Sequence, residues 1–557
     1  YYNTPNRGTN PIVFGNYRAV LVGRENNNPK AIAENNELLF FTNYPSENGQ
    51  LKSWLHEHDS RYVGANQSSE VAGGVPVNRP NVRVQEMNEW EIKTQAGILH
   101  YNMKWLDDDK GREKKRAFLK SIWLQACAFL YTNRVHPEEI FWSYPGSMMT
   151  SDRDELEGIF EDLCKITPFG RKPELANKLF TEAEAVCSYA MSQEFGLNSN
   201  NMFLGIDVGG STSDILLIAK NPQNNNRYSL FRESSVRLAA GVFFDAVKKS
   251  EQYRQALVDF HEGHDTAVYV ENIKEIIDHP DKAPYYLNSI FDQLKNQDDY
   301  DAFYASLSSN AKFVFTIPAY VCGLLLFYSG MLIGKTIKLN RLGNIERIEL
   351  MPFGKGGRLF HWLRHASSSR TTNEFYNNCV NAGLQLIIPD KTVSIKYHEE
   401  IENDNKTEVA RGLCENNELA IVDALNDCDI CGETGVRFIK DGNTISIAPD
   451  DEISGEQFSD DMSYFDFSGV QNFEKFMDIF IKFVSKDTKL YHRAEDSLRD
   501  EICELPTRII SFCTNDPEYK KASKNNKNGE GFHYHQPIII AEGACFLKSL
   551  ISKVFNQ

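Results

Sequence analysis

The chain has 557 residues, of which 41% are hydrophobic and 25% charged, so it is too long for one compact core and has the make-up of a soluble globular protein with two or more domains. Its 77 acidic and 60 basic side chains leave a formal net charge of −17, which argues against a general nucleic-acid grip built from clustered Lys and Arg. The 11 cysteines are odd in number and several lie in apolar runs (Cys127, Cys187, Cys322, Cys545), the pattern of buried free thiols in a reducing compartment, and a cytoplasmic location is expected. Cys428 and Cys431 form one CxxC, but the second pair that a structural zinc site needs is missing, so unpaired thiols are expected there.

The first hundred residues are rich in Asn and turn formers, with short β-like runs at 18–23 and 37–42. From 114 to 133 the apolar residues Phe118, Ile122, Ala126, Phe129 and Leu130 recur at helical spacing. A short strand at 139–143 is stopped by Tyr144-Pro145-Gly146, and 152–163 reads as a helix with acidic residues in its opening turn. A helix is expected at 179–194, then a strand, a glycine turn and a second strand over 202–219.

The charge-free run 313–334, between Lys312 and Lys335, is long enough to cross a bilayer. It also carries Pro318, three glycines, Thr316, Tyr320 and Ser329, and a buried helix at the centre of a large domain is expected rather than a membrane role. A strand at 347–351 leads into Gly354-Lys355-Gly356-Gly357 and a further helix. Beyond Cys414 come an acidic stretch (450–461), two helices and a basic Asn-rich loop (520–528). The chain closes on an expected strand at 537–540 and a helix.

The informative stretch is 204–218, in which apolar residues run up to Asp207, then Gly209-Gly210-Ser211-Thr212 turn the chain, and a second apolar run follows Asp214. Glycines let a backbone approach a ligand closely, and successive amides in such a turn form an anion-binding nest. Ser211 and Thr212 add hydroxyl donors, and a carboxylate at the strand end, Asp207, can hold a metal ion through water against phosphates. Asp214 can tie down the turn by bonding its amides. The plain alternative is an ordinary β-hairpin. Two carboxylates bracketing a Gly-Gly-Ser-Thr turn between two apolar runs favour phosphate binding.

This turn resembles the second phosphate motif of the actin-like ATPases, Asp-x-Gly-Gly-Gly-Thr-x-Asp, with Ser211 in the third glycine position. Flanking segments are similar to the seventy-kilodalton heat-shock-chaperone branch, in family order. The run 140–153, with Tyr144-Pro145-Gly146 and Arg153, resembles its strand, turn and helix, and 180–190 its first connecting helix. Leu238-Ala239-Ala240-Gly241 followed by Phe244-Asp245 is similar to its Leu-Gly-Gly and Phe-Asp segment. The run 348–363, with Gly354, Gly356, Gly357 and Arg358, resembles the adenosine motif, and 406–412, ending in Ala410-Arg411-Gly412, the second connecting helix. A rival for the adenosine motif, 538–544 and its apolar helix, has a similar outline but lies out of order.

The resemblance implies an α/β, two-lobed actin-like (ribonuclease-H-like) ATPase fold, with a first lobe at 1–203, a second at 204–415 and a C-terminal extension at 416–557. It implies ATP or ADP with Mg²⁺ between the lobes. Asp207 would orient the metal, Gly209, Gly210, Ser211 and Thr212 would meet phosphate oxygens, and Asp214 would brace the turn. Gly354, Gly356, Gly357 and Arg358 would face the adenosine. Glu182, with Glu184 as the near alternative, would polarise the attacking water. The output would be a chaperone-like conformational switch acting on a protein partner or client, driven by slow hydrolysis.

The family's first phosphate motif, Asp-x-Gly-Thr, is not found before residue 60. The nearest shape, Pro11-Ile12-Val13-Phe14-Gly15-Asn16, lacks the carboxylate, so the motif either precedes Tyr1, as a start without Met suggests, or is degenerate. A non-hydrolysing actin-fold scaffold or filament subunit is therefore the alternative. A small-molecule kinase shares the fold, but no segment nominates its catalytic Asp.

Overall fold

The computed structural model describes most of 135–243, 315–398, 408–414, 429–453, 465–486, 495–515 and 536–555, with residues 420–421, short strands between 40 and 100, and isolated positions at 112–130 and 255. The protein is mixed α/β and divides into two compact units. The first comprises Tyr1–Tyr144, Met148–Phe180 and Glu251–Ser306; the second comprises Pro145–Ser147, Thr181–Ser250 and Leu307–Gln557.

The first unit carries a five-stranded antiparallel sheet in the order Phe40–Phe41, Tyr62–Gly64, Ile98–His100, Glu91–Thr94, Val84–Met87. Its helix Thr150–Lys165 turns Leu156, Ile159 and Leu163 onto Trp142 and Met148, the i, i+3, i+7 stripe that a half-buried helix needs. The described positions between 112 and 130 are helical, while the run 18–23 lies outside the described residues.

The second unit is built on a six-stranded sheet. Its strands are β1 (Asn201–Val208), β2 (Ser213–Asn221), β3 (Arg227–Val236), β4 (Arg347–Phe353), β5 (Ser394–Tyr397) and β6 (Ala420–Ile421), in the order β5-β4-β1-β2-β3-β6. β1, β2 and β3 form an antiparallel meander, and β4 and β5 join the other side of β1 in parallel. Met202–Leu204, Ile206 and Val208 on β1 and Ile215–Ala219 on β2 are all fully buried, which is why both strands read as continuous apolar runs rather than alternating ones. The lobe boundary expected at 203/204 thus falls inside β1.

The helices of this unit are α1 (Glu182–Ser192), α2 (Thr316–Asn340), α3 (Arg358–Ala366), α4 (Ser369–Ile387), α5 (Glu408–Cys414), α6 (Gln471–Lys486), α7 (Glu495–Thr514) and α8 (Ile538–Phe555). α2 is the apolar run; it is long and apolar enough to cross a membrane by length and composition, and its most apolar window is wholly buried within the protein. Its glycines let α4 pack against it at backbone distance. A Cβ at Gly330 would overlap Val380 O, and one at Gly383 would overlap Phe327 O. Farther along α4, Asn381 donates to Val393 O (2.9 Å) and accepts from Val393 N (2.8 Å), and Asn377 accepts from Ile395 N (2.9 Å). Side-chain amides there do for β5 what a further strand would do.

The described part of 416–557, expected as an extension, belongs to the same compact unit as the sheet. Phe375 of α4 stacks on Phe483 of α6 at 4.1 Å, and Tyr320 of α2 meets Phe480 of α6 and Phe546 of α8 at 5.3 and 5.7 Å. The strand expected at 537–540 is not formed: Ile538 opens α8, with Ile540 N and Ala541 N both donating to Pro537 O at 3.1 and 3.0 Å. Proline presets the first helical turn, and burial of Ile538, Ile539 and Ile540 inside the helical layer overrides their β preference. The rival adenosine motif therefore has no strand.

Two buried acids sit in this layer. Glu433 caps α6 by accepting from Asn472 N (2.8 Å) and Phe473 N (2.9 Å), and also from Thr434 N (2.7 Å). Burial, and then the neighbouring Glu433, push Glu542 of α8 well above the usual carboxylate range, favouring its protonated form.

Two outcomes are expected. Gly330→Ala forces backbone apart at the α2–α4 crossing and lowers stability by about 2 kcal/mol in urea titrations. Because the folded pKa of Glu542 is raised, its contribution is fully present below the unfolded value of about 4.3 and declines as pH rises towards the folded one. Glu542→Gln should therefore lose less stability than wild type between pH 5 and pH 8, read as the shift in urea midpoint.

Candidate functional site

The β1–β2 hairpin places Asp207 opposite Asp214 and Val208 opposite Ser213, so residues 209–212 form its tip. Gly209 N donates to Thr212 O at 2.8 Å and closes the turn; that amide is spent inside the hairpin. Gly210 is exposed, Thr212 and Asp214 are buried, and Ser211 lies outside the described residues. Gly209 permits this closure, because a Cβ there would lie 2.9 Å from Thr212 O, whereas one at Gly210 would meet nothing within 4 Å.

A second segment, 237–241, grips this tip from the end of β3. Ala240 N donates to Gly209 O (3.1 Å), Gly241 N donates to Gly210 O (3.0 Å), and Ser213 Oγ donates to Leu238 O (2.6 Å). A Cβ on Gly241 would overlap Gly210 O, so only glycine fits there without displacement.

The third segment is the turn after β4. Gly354 has φ +67°, the left-handed region, and a Cβ on it would overlap Asp207 Oδ1. Gly356 is pressed between the other two segments: a Cβ there would lie 2.5 Å from Val208 O and 2.7 Å from Ala240 Cβ. Gly357 N donates to Gly354 O (3.0 Å), and Arg358, half-buried, opens α3. Residues 207–210, 238–241 and 354–356 therefore meet in one place, at the carboxyl ends of the parallel strands β1 and β4. Ligands of open α/β sheets bind outside such ends.

Glu182 is the first residue of α1, a helix that buries Ala183, Val186, Cys187 and Ala190 against Phe203, Leu216 and Phe353 of the sheet. Thr181 and Glu184 form a capping box: Glu184 N donates to Thr181 Oγ1 (3.0 Å) and Thr181 N donates to Glu184 Oε2 (2.9 Å). Glu184 is committed to that cap, and Glu182 is the other acid of the first turn. α5 crosses α1 so closely that a Cβ on Gly412 would overlap Ala185 O. Ala410-Arg411-Gly412 thus lies in a helix that meets α1 backbone to backbone.

Asp207, Gly209, Gly210, Thr212, Gly354 and Gly356 are brought together, with Asp214 directly opposite Asp207 on the hairpin. Among the described residues no group of three or more His, Cys, Asp or Glu could hold a metal ion. A hard cation here would rest on Asp207 and on oxygens of its own ligand, as Mg²⁺ does when it keeps several waters and bridges phosphates.

No protein-family model matches this chain, and no curated protein matches it.

Two residues escaped the sequence reading as site components. Gly241 was visible only as part of a resembling segment, although a small residue after β3 is its signal. Gln536 accepts from Arg237 N at 3.0 Å across 299 positions of sequence, and nothing local marks it.

Gly354→Ala is expected to cost about 1–2 kcal/mol for the left-handed backbone alone, and more once the added methyl displaces Asp207. Gly343→Ala, where a Cβ meets nothing within 4 Å, serves as control and should fall within about 0.5 kcal/mol of wild type in the same urea titration.

Proposed function

We propose that this chain binds ATP and Mg²⁺ in an actin-like, chaperone-like core and acts as a slow ATPase whose output is a conformational switch. The observation that carries the reading is the meeting of three glycine-bearing turns around Asp207 at the carboxyl ends of β1 and β4. Gly210 at the hairpin tip is exposed and a Cβ there would meet nothing within 4 Å, so an anion can approach that backbone, and Asp207 at the strand end suits a hydrated Mg²⁺. The strand order supports the same reading. A meander carries the phosphate turn, and two parallel strands reached through helices bring the adenosine turn beside it. The close crossing of α1 and α5 supports it further, because a backbone-to-backbone contact of two connecting helices is a natural pivot.

In this reading Mg²⁺, when bound, would supply positive charge against the phosphates, and Asp207 is the residue that would hold it. The amides and hydroxyls of 210–212 would donate to phosphate oxygens, and Gly354, Gly356, Gly357 and Arg358 would face the adenosine. Glu182, held at the head of a capped helix, polarises the attacking water. Closure on ATP and reopening after hydrolysis would be passed to a protein partner in the cytoplasm.

Calorimetric titration of the purified chain should give saturable heat for ATP with Mg²⁺, at least tenfold weaker in Asp207→Ala. Glu182→Gln should keep the affinity and lose phosphate release. Flat heat for both ATP and ADP sinks the reading; binding without turnover in the wild type turns it to the non-hydrolysing scaffold.

A further inference from the structure

The segment 237–241 is held from two sides. On one side its amides and carbonyl engage the 209–212 turn, through Ala240 N to Gly209 O, Gly241 N to Gly210 O, and Ser213 Oγ to Leu238 O. On the other, Arg237 N donates to Oε1 of Gln536, a residue only 9% exposed. Gln536 stands two residues before α8. The first turn of α8 is itself anchored, with Ile539 N donating to Cys431 O (3.3 Å) and its side chain closing on Gly432, whose φ is +78°. Gly432 O in turn accepts from Asn472 Nδ2 (3.1 Å), and Glu433 caps α6. An unbroken series of backbone bonds and close contacts thus runs from the hairpin tip to the C-terminal helices.

We propose that Gln536 is a positioning residue for the phosphate turn, and that occupancy of that turn is coupled through 237–241 to the docking of the C-terminal helix α8. The inference rests on the nucleotide-binding reading above and adds its regulation. A ligand that fixes the 209–212 amides also fixes the carbonyls of Gly209 and Gly210, hence Ala240 and Gly241, hence Arg237 and its acceptor. Coupling of this kind is reciprocal: whatever loosens the start of α8 weakens polyphosphate binding by the same factor. A protein partner that takes hold of the C-terminal helices would thereby set the nucleotide affinity.

The test compares wild type with Gln536→Met, which keeps the volume and removes the acceptor. Magnesium-ATP affinity should fall roughly fivefold to tenfold, the worth of one lost hydrogen bond. Affinity for adenosine, which lacks phosphates, should change less than twofold. A merely structural role would lower both alike, and equal losses or no loss overturn the proposal. In wild type, hydrogen exchange at amides 539–541 should slow on adding magnesium-ATP; unchanged exchange there overturns it even if the Met variant fails to fold. Wild type that binds no nucleotide sinks both readings, whereas binding without the ATP-selective loss sinks this one alone.

Discussion

The second unit depends on backbone touching backbone where no side chain intervenes. Gly241 lies on Gly210, Gly354 on Asp207, Gly356 on Val208, and Gly412 on Ala185; a methyl group at any of the four would have to displace its neighbour. Glycine carries an entropic cost on folding, and the fold accepts that cost at these contacts so that the segments can pack at backbone distance. The same device sets the α2–α4 spacing through Gly330 and Gly383. Close approach, rather than any single strong bond, fixes the shape of the turns.

Around that frame, two buried carboxylates are matched by partners. Glu349, fully buried on β4, takes Arg347 Nε at 2.7 Å, Asn201 Nδ2 at 3.1 Å and His398 Nε2 at 2.6 Å. Asp429 accepts from Ser234 Oγ on β3 and from Tyr328 OH on α2 (3.4 Å), while Tyr328 OH accepts from Ile430 N (3.2 Å). An unpaired carboxylate in such surroundings would cost several kcal/mol, so the contacts of Asp429 and Ile430 with Ser234 and Tyr328 specify where the 429–435 loop must sit. That loop carries the cap of α6 and the seat of α8, which is how the C-terminal residues become part of the sheet-bearing unit.

Much of the local structure was legible. The hairpin over 202–219 could be read because two apolar runs flank a glycine pair, and the helix at 152–163 because its apolar residues fall on one face. The capping box Thr181-x-x-Glu184 was equally readable; it separates Glu184 from Glu182, and its signal is the Thr and Glu three positions apart. The strand expected at 537–540 failed for a plain reason. Three isoleucines in a row prefer extended backbone in isolation, yet here they are buried inside a helical layer after a proline that starts a helix.

By itself the sequence determined where tight glycine turns fall, because glycine's conformational freedom acts through its own chemistry and its immediate neighbours. It also determined that β1, β2 and α2 are interior, since water is excluded from runs that apolar. Only the tertiary structure decided that 207–210, 238–241 and 354–356 share one place, and that Gln536 holds Arg237. The reason is that hydrogen bonds between residues far apart in the chain leave no periodicity or spacing behind; they exist only after the sheet and the helical layer have brought those backbones together.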